Sequence, residues 1–168
     1  MYERLKKAAE SISLNYVLIF VNDCSRDNFL FELMKLAASD AHVFYINFSR
    51  NFGHQIAVTA GLDYCKGEAV VIIDGDLQDP PELIPELYTK YKEGYEVVYA
   101  QRIKREGESW YKKSSAKWFY RILRKITSIH IPVDSGDFRL IDRKIVECLK
   151  QTPEQNKFLR GQIAWIGF

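Results

Sequence analysis

From its N-terminus the chain alternates amphipathic stretches with short, fully apolar ones. Met1–Ile12 sets Leu5, Ala8, Ala9 and Ile12 at helical spacing. Tyr16–Val21 (YVLIFV) is an unbroken apolar run of the kind shown by a strand covered on both faces, and it ends in the polar turn Asn22–Asp27. The pattern then predicts a helix over 28–39 capped by Asp27 and a strand over Val43–Phe48. A helix over Ile56–Cys65 follows, whose Ala57, Ala60 and Gly61 suit close packing on a sheet. Val70–Ile73 is a second buried-type strand, rich in β-branched residues. A helix over Glu82–Lys92, stopped by Gly94, and a strand over Glu96–Ala100 complete a β-α-β-α-β-α-β order. One domain on a parallel sheet with right-handed crossovers is the economical topology.

Beyond Ala100 the pattern changes. Glu108–Ile131 predicts one or two helices in which Trp110, Tyr111, Trp118, Phe119 and Tyr120 are interleaved with Lys112, Lys113, Lys117, Arg121, Arg124 and Lys125. Two readings stand side by side: a helix lying in a membrane interface, or an amphipathic helix with a solvated basic face. Asp134–Leu140 reads as a turn entering a short strand, Asp142–Leu149 as a helix and Gln162–Phe168 as a final strand.

With 168 residues, 47% of them hydrophobic, there is material for one real core. A net charge of +2 argues against a dedicated nucleic-acid binder. Three irregularly spaced cysteines suggest neither a disulfide framework nor a zinc site, which favours a reducing, cytosol-facing compartment. No apolar run approaches the ~20 residues needed to span a bilayer.

The chemistry gathers where the Val70–Ile73 strand ends. Asp74-Gly75-Asp76 sets two carboxylates at the carboxyl edge of a strand, where open α/β sheets bind ligands. Hard oxygen ligands there suit Mg²⁺ or Mn²⁺ carrying a phosphorylated substrate. Gln78, Asp79 and the helix-starting Pro80-Pro81 make the pattern far more specific than a bare D-x-D, which otherwise reads as a capped turn. His54, alone at a helix start, is read as a cap or packing residue. No Walker A loop and no G-x-G-x-x-G follows any strand.

NDCSRD, SRNFGHQIAVTAGLD, DGDLQDPPE, DSGDFRLIDR and FLRGQIAWIGF occur in the order and spacing of family-2 glycosyltransferases. The chain most resembles the polyprenyl-phosphate glycosyltransferases, that is, bactoprenol glucosyltransferases and their dolichyl-phosphate mannosyltransferase relatives. The resemblance covers essentially the whole chain. It implies a GT-A, Rossmann-like α/β domain: a mostly parallel sheet flanked by helices, here without the family's usual first strand. Residues 1–100 would form the nucleotide-sugar half and 101–168 the acceptor- and membrane-facing half. Members of the bactoprenol type continue past W-I-G-F into membrane helices, so the sequence reads as a catalytic domain clipped at both ends.

The resemblance also implies roles. Asp23, Ser25 and Arg50 would hold the nucleotide; the competing readings are a turn cap for Asp23 and a surface salt bridge for Arg50. Asp74 and Asp76 would line the diphosphate, with Asp76 the direct metal ligand and Gln78 closing the Mg²⁺ or Mn²⁺ site. Asp137 resembles the catalytic carboxylate; the alternative for Asp134–Arg139 is a structural turn pair. Arg139, Arg160, Gln162 and Trp165 would face the acceptor, although Trp165 also fits a core position.

The implied activity is inverting transfer of a hexose from a nucleotide diphosphate sugar, UDP-glucose favoured, to a polyprenyl phosphate. It would take place at the cytoplasmic face of the plasma membrane, with 108–131 as the contact and a homo-oligomer open to the full-length form. The alternatives are a family-2 enzyme with a saccharide acceptor, an inactive nucleotide-sugar-binding relative, and an unrelated nucleotidyltransferase or D-x-D phosphatase.

Overall fold

A computed structural model describes residues 1–13, 15–101, 135–154 and 157–168. The chain order is α1 (Tyr2–Glu10), β1 (Leu18–Asn22), α2 (Phe29–Ser39), β2 (Val43–Asn47), α3 (His54–Tyr64) and β3 (Ala69–Ile72). A 3-10 turn at Pro81–Leu83 leads into α4 (Ile84–Lys92), followed by β4 (Val97–Gln101) and β5 (Ser135–Asp142). Two further helices close the described chain, α5 (Arg143–Gln151) and α6 (Leu159–Ile166). The expected helix or helices over 108–131 lie outside the described residues.

The strands form two groups. β1 and β2 pair in parallel, Leu18 opposite Val43 through Asn22 opposite Asn47. The other three lie in the order β3-β5-β4, with β5 antiparallel to both neighbours. β3 and β4 are therefore parallel to each other, as the alternating pattern predicts, but an antiparallel strand stands between them. The mixed α/β architecture agrees with the expected GT-A-type fold, and β5 is the antiparallel member of its sheet. β5 does correct the local reading of Asp134–Leu140, since Asp137 lies within an eight-residue strand.

The expectation that β3 is covered on both faces holds. Ala69 and Val71, with Ile73, join a cluster formed by Leu5 and Ala8 of α1, Ile84 and Leu87 of α4, and Phe138 and Leu140 of β5. Val70 and Ile72 turn the other way, onto Leu62, Ile141, Ile145, Val146 and Leu149. Leu18 and Phe20 of β1 belong to the first cluster as well, so the two strand groups share one core. At Gly61 α3 lies close on β1, where an added methyl group would stand 3.4 Å from Val21 Cγ2.

Helix α1 straps the two groups together. Tyr2 Oη and Lys6 Nζ donate to Asp40 at the end of α2 (2.6 and 2.9 Å), while Arg4 makes a two-pronged pair with Glu82 at the entry to α4 (2.7 Å each). Asp27 does serve the start of α2, accepting from the Phe29 N–H.

The segment expected as a last strand, Gln162–Phe168, is instead most of α6. Leu159, Ile163 and Ile166 recur at helical spacing and pack on α5, Trp165 faces outward, and Gly167 ends the helix in the left-handed conformation at φ 90°. The β-branched and aromatic content of this segment suggested a strand, whereas its period decided for a helix.

Candidate active site

Three strand ends, the first half of β5 and two helix starts supply the site. At the end of β1, buried Asn22 donates to Asn47 (2.8 Å) and accepts the Ser25 backbone N–H (3.1 Å), which fixes the turn that follows. Both oxygens of Asp23 accept backbone N–H groups of the loop after β2: Phe52 at 2.7 Å and Gly53 at 2.9 Å. Gly53 has φ 97°, a conformation that costs glycine little and other residues much. Arg50 lies with its guanidinium 4.1 Å from the Phe52 ring centre. Asp23 and Arg50 thus meet at the loop after β2, Ser25 sits in the turn after β1, and Ser25 and Arg50 are exposed.

Beyond β3, Asp74 is half-buried while Asp76 and Gln78 are exposed. Asp76 Oδ1 accepts the Gln78 N–H at 3.0 Å, and Leu77 between them has φ 63°. The loop therefore turns tightly at Asp76–Gln78.

The register of β5 brings in the third carboxylate. Ile72 pairs with Arg139 in antiparallel register, so Asp74, two residues after Ile72, and Asp137, two residues before Arg139, fall at the same end of the sheet. Asp137 and Arg139 share a face of β5, and Arg139 Nη2 reaches Asp137 Oδ1 at 3.0 Å. Arg139 is only 1% exposed; its guanidinium also donates to the carbonyls of Gly136 and Asp137 and lies over the Tyr99 ring. From the start of α6, Arg160 adds a two-pronged pair, Nε to Oδ1 and Nη2 to Oδ2, both 2.8 Å. Gln55 docks that helix start by accepting the Leu159 N–H.

Of the four residues expected to face the acceptor, Arg139 and Arg160 therefore meet at Asp137. Gln162 is half-buried with Oε1 shielded from water, and Trp165 is 66% exposed.

His54, given only a capping or packing part above, stands at the centre. Its Nε2 is 3.1 Å from Asp137 Oδ2 and 3.7 Å from Asp74 Oδ1. The ligand atoms of His54, Asp74 and Asp137 all lie within 4.8 Å of one another. No spacing rule in the sequence joins three residues this far apart; the one available signal was a polar side chain opening a helix directly after a strand.

The two inner carboxylates differ. Burial pushes the Asp74 carboxyl up; His54 opposes this, while Asp137, Asp76 and Asp79 add to it. Burial would also raise Asp137, but the Arg160 hydrogen bonds, with the charges of Arg160, Arg139 and His54, outweigh it and hold the carboxyl below its ordinary range.

Comparison with known proteins gives a consistent result. The sequence model of the family described as "Glycosyl transferase family 2" matches residues 1–150. The chain is 54% identical to the "Uncharacterized glycosyltransferase YkcC" of Bacillus subtilis, over 99% of this chain and 52% of that protein. It is 47% identical to the "Uncharacterized glycosyltransferase sll0501" of Synechocystis, over 100% of this chain and 53% of that protein. It is 40% identical to the "Prophage bactoprenol glucosyl transferase homolog" of Escherichia coli, over 99% and 54%. The chain thus spans about half the length of the curated relatives it matches.

Proposed function

The chain belongs to glycosyl transferase family 2, and on that premise we propose that it moves a hexose from a nucleotide diphosphate sugar to a polyprenyl phosphate. UDP-glucose is the favoured donor, the configuration inverts at the anomeric carbon, and the setting is the cytoplasmic face of the plasma membrane. The observation that carries this reading is the state of Asp137. A carboxylate gripped by two guanidiniums and held below its ordinary range is a weak base. A saccharide hydroxyl would need a base poised near the working pH. A phosphate monoester, with its second pKa near ~6, is already an anion at neutral pH and needs orientation and nearby positive charge instead. The name of the bactoprenol glucosyl transferase homolog supports the same acceptor class.

In this scheme Asp23, Ser25 and Arg50 hold the nucleotide. An acceptor phosphate oxygen forms the new bond to the anomeric carbon. The bond to the nucleoside diphosphate breaks, and its electron pair leaves with that group. Asp137 orients the acceptor, Arg139 and Arg160 keep positive charge beside it, and Gln162 and Trp165 lie on the acceptor side.

The donor set fits a hard divalent cation. Asp74 and Asp76 offer carboxylate oxygens, and the upward push of three neighbouring carboxylates on Asp74 is what a cation would relieve. Asp74, Asp76 and Gln78 would hold Mg²⁺ or Mn²⁺. Such an ion neutralises charge building on a departing diphosphate. Among the described residues no helix is long and apolar enough to cross a membrane, and the proposed membrane contact at 108–131 lies outside them.

The test is transfer of labelled glucose from UDP-glucose with Mg²⁺, to undecaprenyl phosphate in detergent and to free saccharides, across pH. Transfer to the lipid phosphate alone, flat between about pH 7 and 9, is expected. Transfer to saccharides with a rate climbing through neutral pH would overturn the reading in favour of a base-dependent acceptor.

A further inference from the structure

Asp74 and Asp137 belong to different jobs, one to the donor and metal side and one to the acceptor side. They are also like charges in close company, and Asp137 raises the cost of ionising Asp74. The guanidiniums of Arg139 and Arg160 pair with Asp137, and the His54 imidazole lies within 3.7 Å of an oxygen of each carboxylate. We infer that His54 is a positioning residue: its imidazole spaces Asp74 from Asp137 and thereby fixes the distance between the donor end and the acceptor end of the site. This rests on the transferase reading above.

The placement of the ring is built, not incidental. His54 is the first residue of α3, directly after Gly53, whose N–H is held by Asp23 at 2.9 Å. The next residue, Gln55, accepts the Leu159 N–H and so anchors the helix that carries Arg160. Phe52–Gln55 therefore runs from the nucleotide corner to the start of α6, and His54 is its one side chain reaching the carboxylates among the described residues. The imidazole donates from Nε2 to Asp137 Oδ2, which leaves the ring's other nitrogen unprotonated in the neutral form. A ring in this place acts on geometry during transfer and leaves donor binding at Asp23, Ser25 and Arg50 untouched.

The experiment uses the full chain with His54→Ala and His54→Gln, UDP-glucose, Mg²⁺ and undecaprenyl phosphate, with melting curves for each variant. His54→Ala should lower kcat about 10- to 100-fold, as loss of a supporting hydrogen bond does, with the KM for UDP-glucose nearly unchanged. His54→Gln, which keeps an N–H donor, should recover part of the loss. A kcat within about twofold of wild type, or a loss carried wholly by KM, overturns the inference.

A readout free of activity separates this from the transferase reading. The chain has three histidines, so the His54 ring nitrogens are assignable by ¹⁵N NMR. Asp137→Asn should move the His54 Nε2 signal and leave that of His42, which contacts Asp40, in place. If wild type transfers no glucose but the signal moves, the transferase reading falls and the placement of His54 stands. An unmoved signal overturns the placement whatever the activity, and it decides the matter if His54→Ala fails to fold.

Discussion

The parallel pair β1-β2 and the three-stranded block β3-β5-β4 are built from similar apolar runs, yet they are covered very differently. In the block, Phe138, Leu140 and Ile141 of β5 have at most 1% of their surface exposed. In the pair, Phe44 is 55% exposed, Tyr45 is exposed beside it, and α2 buries Leu33 while showing Phe29, Phe31 and Met34 to solvent. Asp137, the carboxylate proposed for the acceptor side, thus rides on the best-buried of the described strands, braced by Arg139 from within. The corner proposed for the nucleotide rests on loop hydrogen bonds between Asp23 and residues 52 and 53. The contrast suits a site in which the reacting geometry is set in advance and the donor end is free to close on its ligand.

The comparison breaks first at Phe138. Phe138→Ala should cost about 3–5 kcal/mol in urea unfolding, as expected for a large side chain removed from a closed core. A loss under about 1 kcal/mol would mean that the block is no more rigid than the pair.

The donor corner should respond in binding instead. Asp23→Ala leaves the Phe52 and Gly53 N–H groups without their carboxylate and should raise the KM for UDP-glucose about tenfold, or about 1.4 kcal/mol, with a smaller change in kcat. A pure kcat effect would place Asp23 with the reacting groups.

Acid tests the strap between the regions. Arg4 holds Glu82 down at about 2, and the Tyr2 hydroxyl, the His42 N–H and Lys6 hold Asp40 below its ordinary range. Both folded values lie under the unfolded ones. Their contribution is therefore complete above the ordinary carboxylate values and is lost as pH falls from about 4.5 toward 2. Melting temperature should drop through that window, and Arg4→Ala should flatten part of the slope. The smallest effect is expected at Phe44→Ala, within about 0.5 kcal/mol, since that ring is largely solvated already.

Several residues that the sequence singles out lie together in the structure. Asp74, Asp76 and Asp137 were marked as carboxylates after or near strands, and Asp23 and Arg50 as strand-end residues. Arg160 was placed on the acceptor side, and the structure pairs it with Asp137 itself. Arg139 reads in sequence as an acceptor-side residue, and the structure shows it buried and bonded to Asp137. A basic residue two positions from an acid on a strand looks the same in sequence whether that face meets solvent or a core. His54 was passed over because its partners lie 20 residues away at Asp74 and 83 away at Asp137.

The sequence by itself determined the local elements and the chemistry at their ends. Apolar runs, helical periods and turn residues act over a few positions, and β1, β3 and the D-G-D turn follow from them. Tertiary structure decided what depends on partners far along the chain. It slid β5 between β3 and β4, so that register set Asp137 beside Asp74, and it made a helix of 159–166 because α5 offered an apolar face. It also brought one imidazole between two carboxylates. Local propensity is weak enough for such packing to override it, and convergence of side chains is encoded only in the pairing of distant strands and helices.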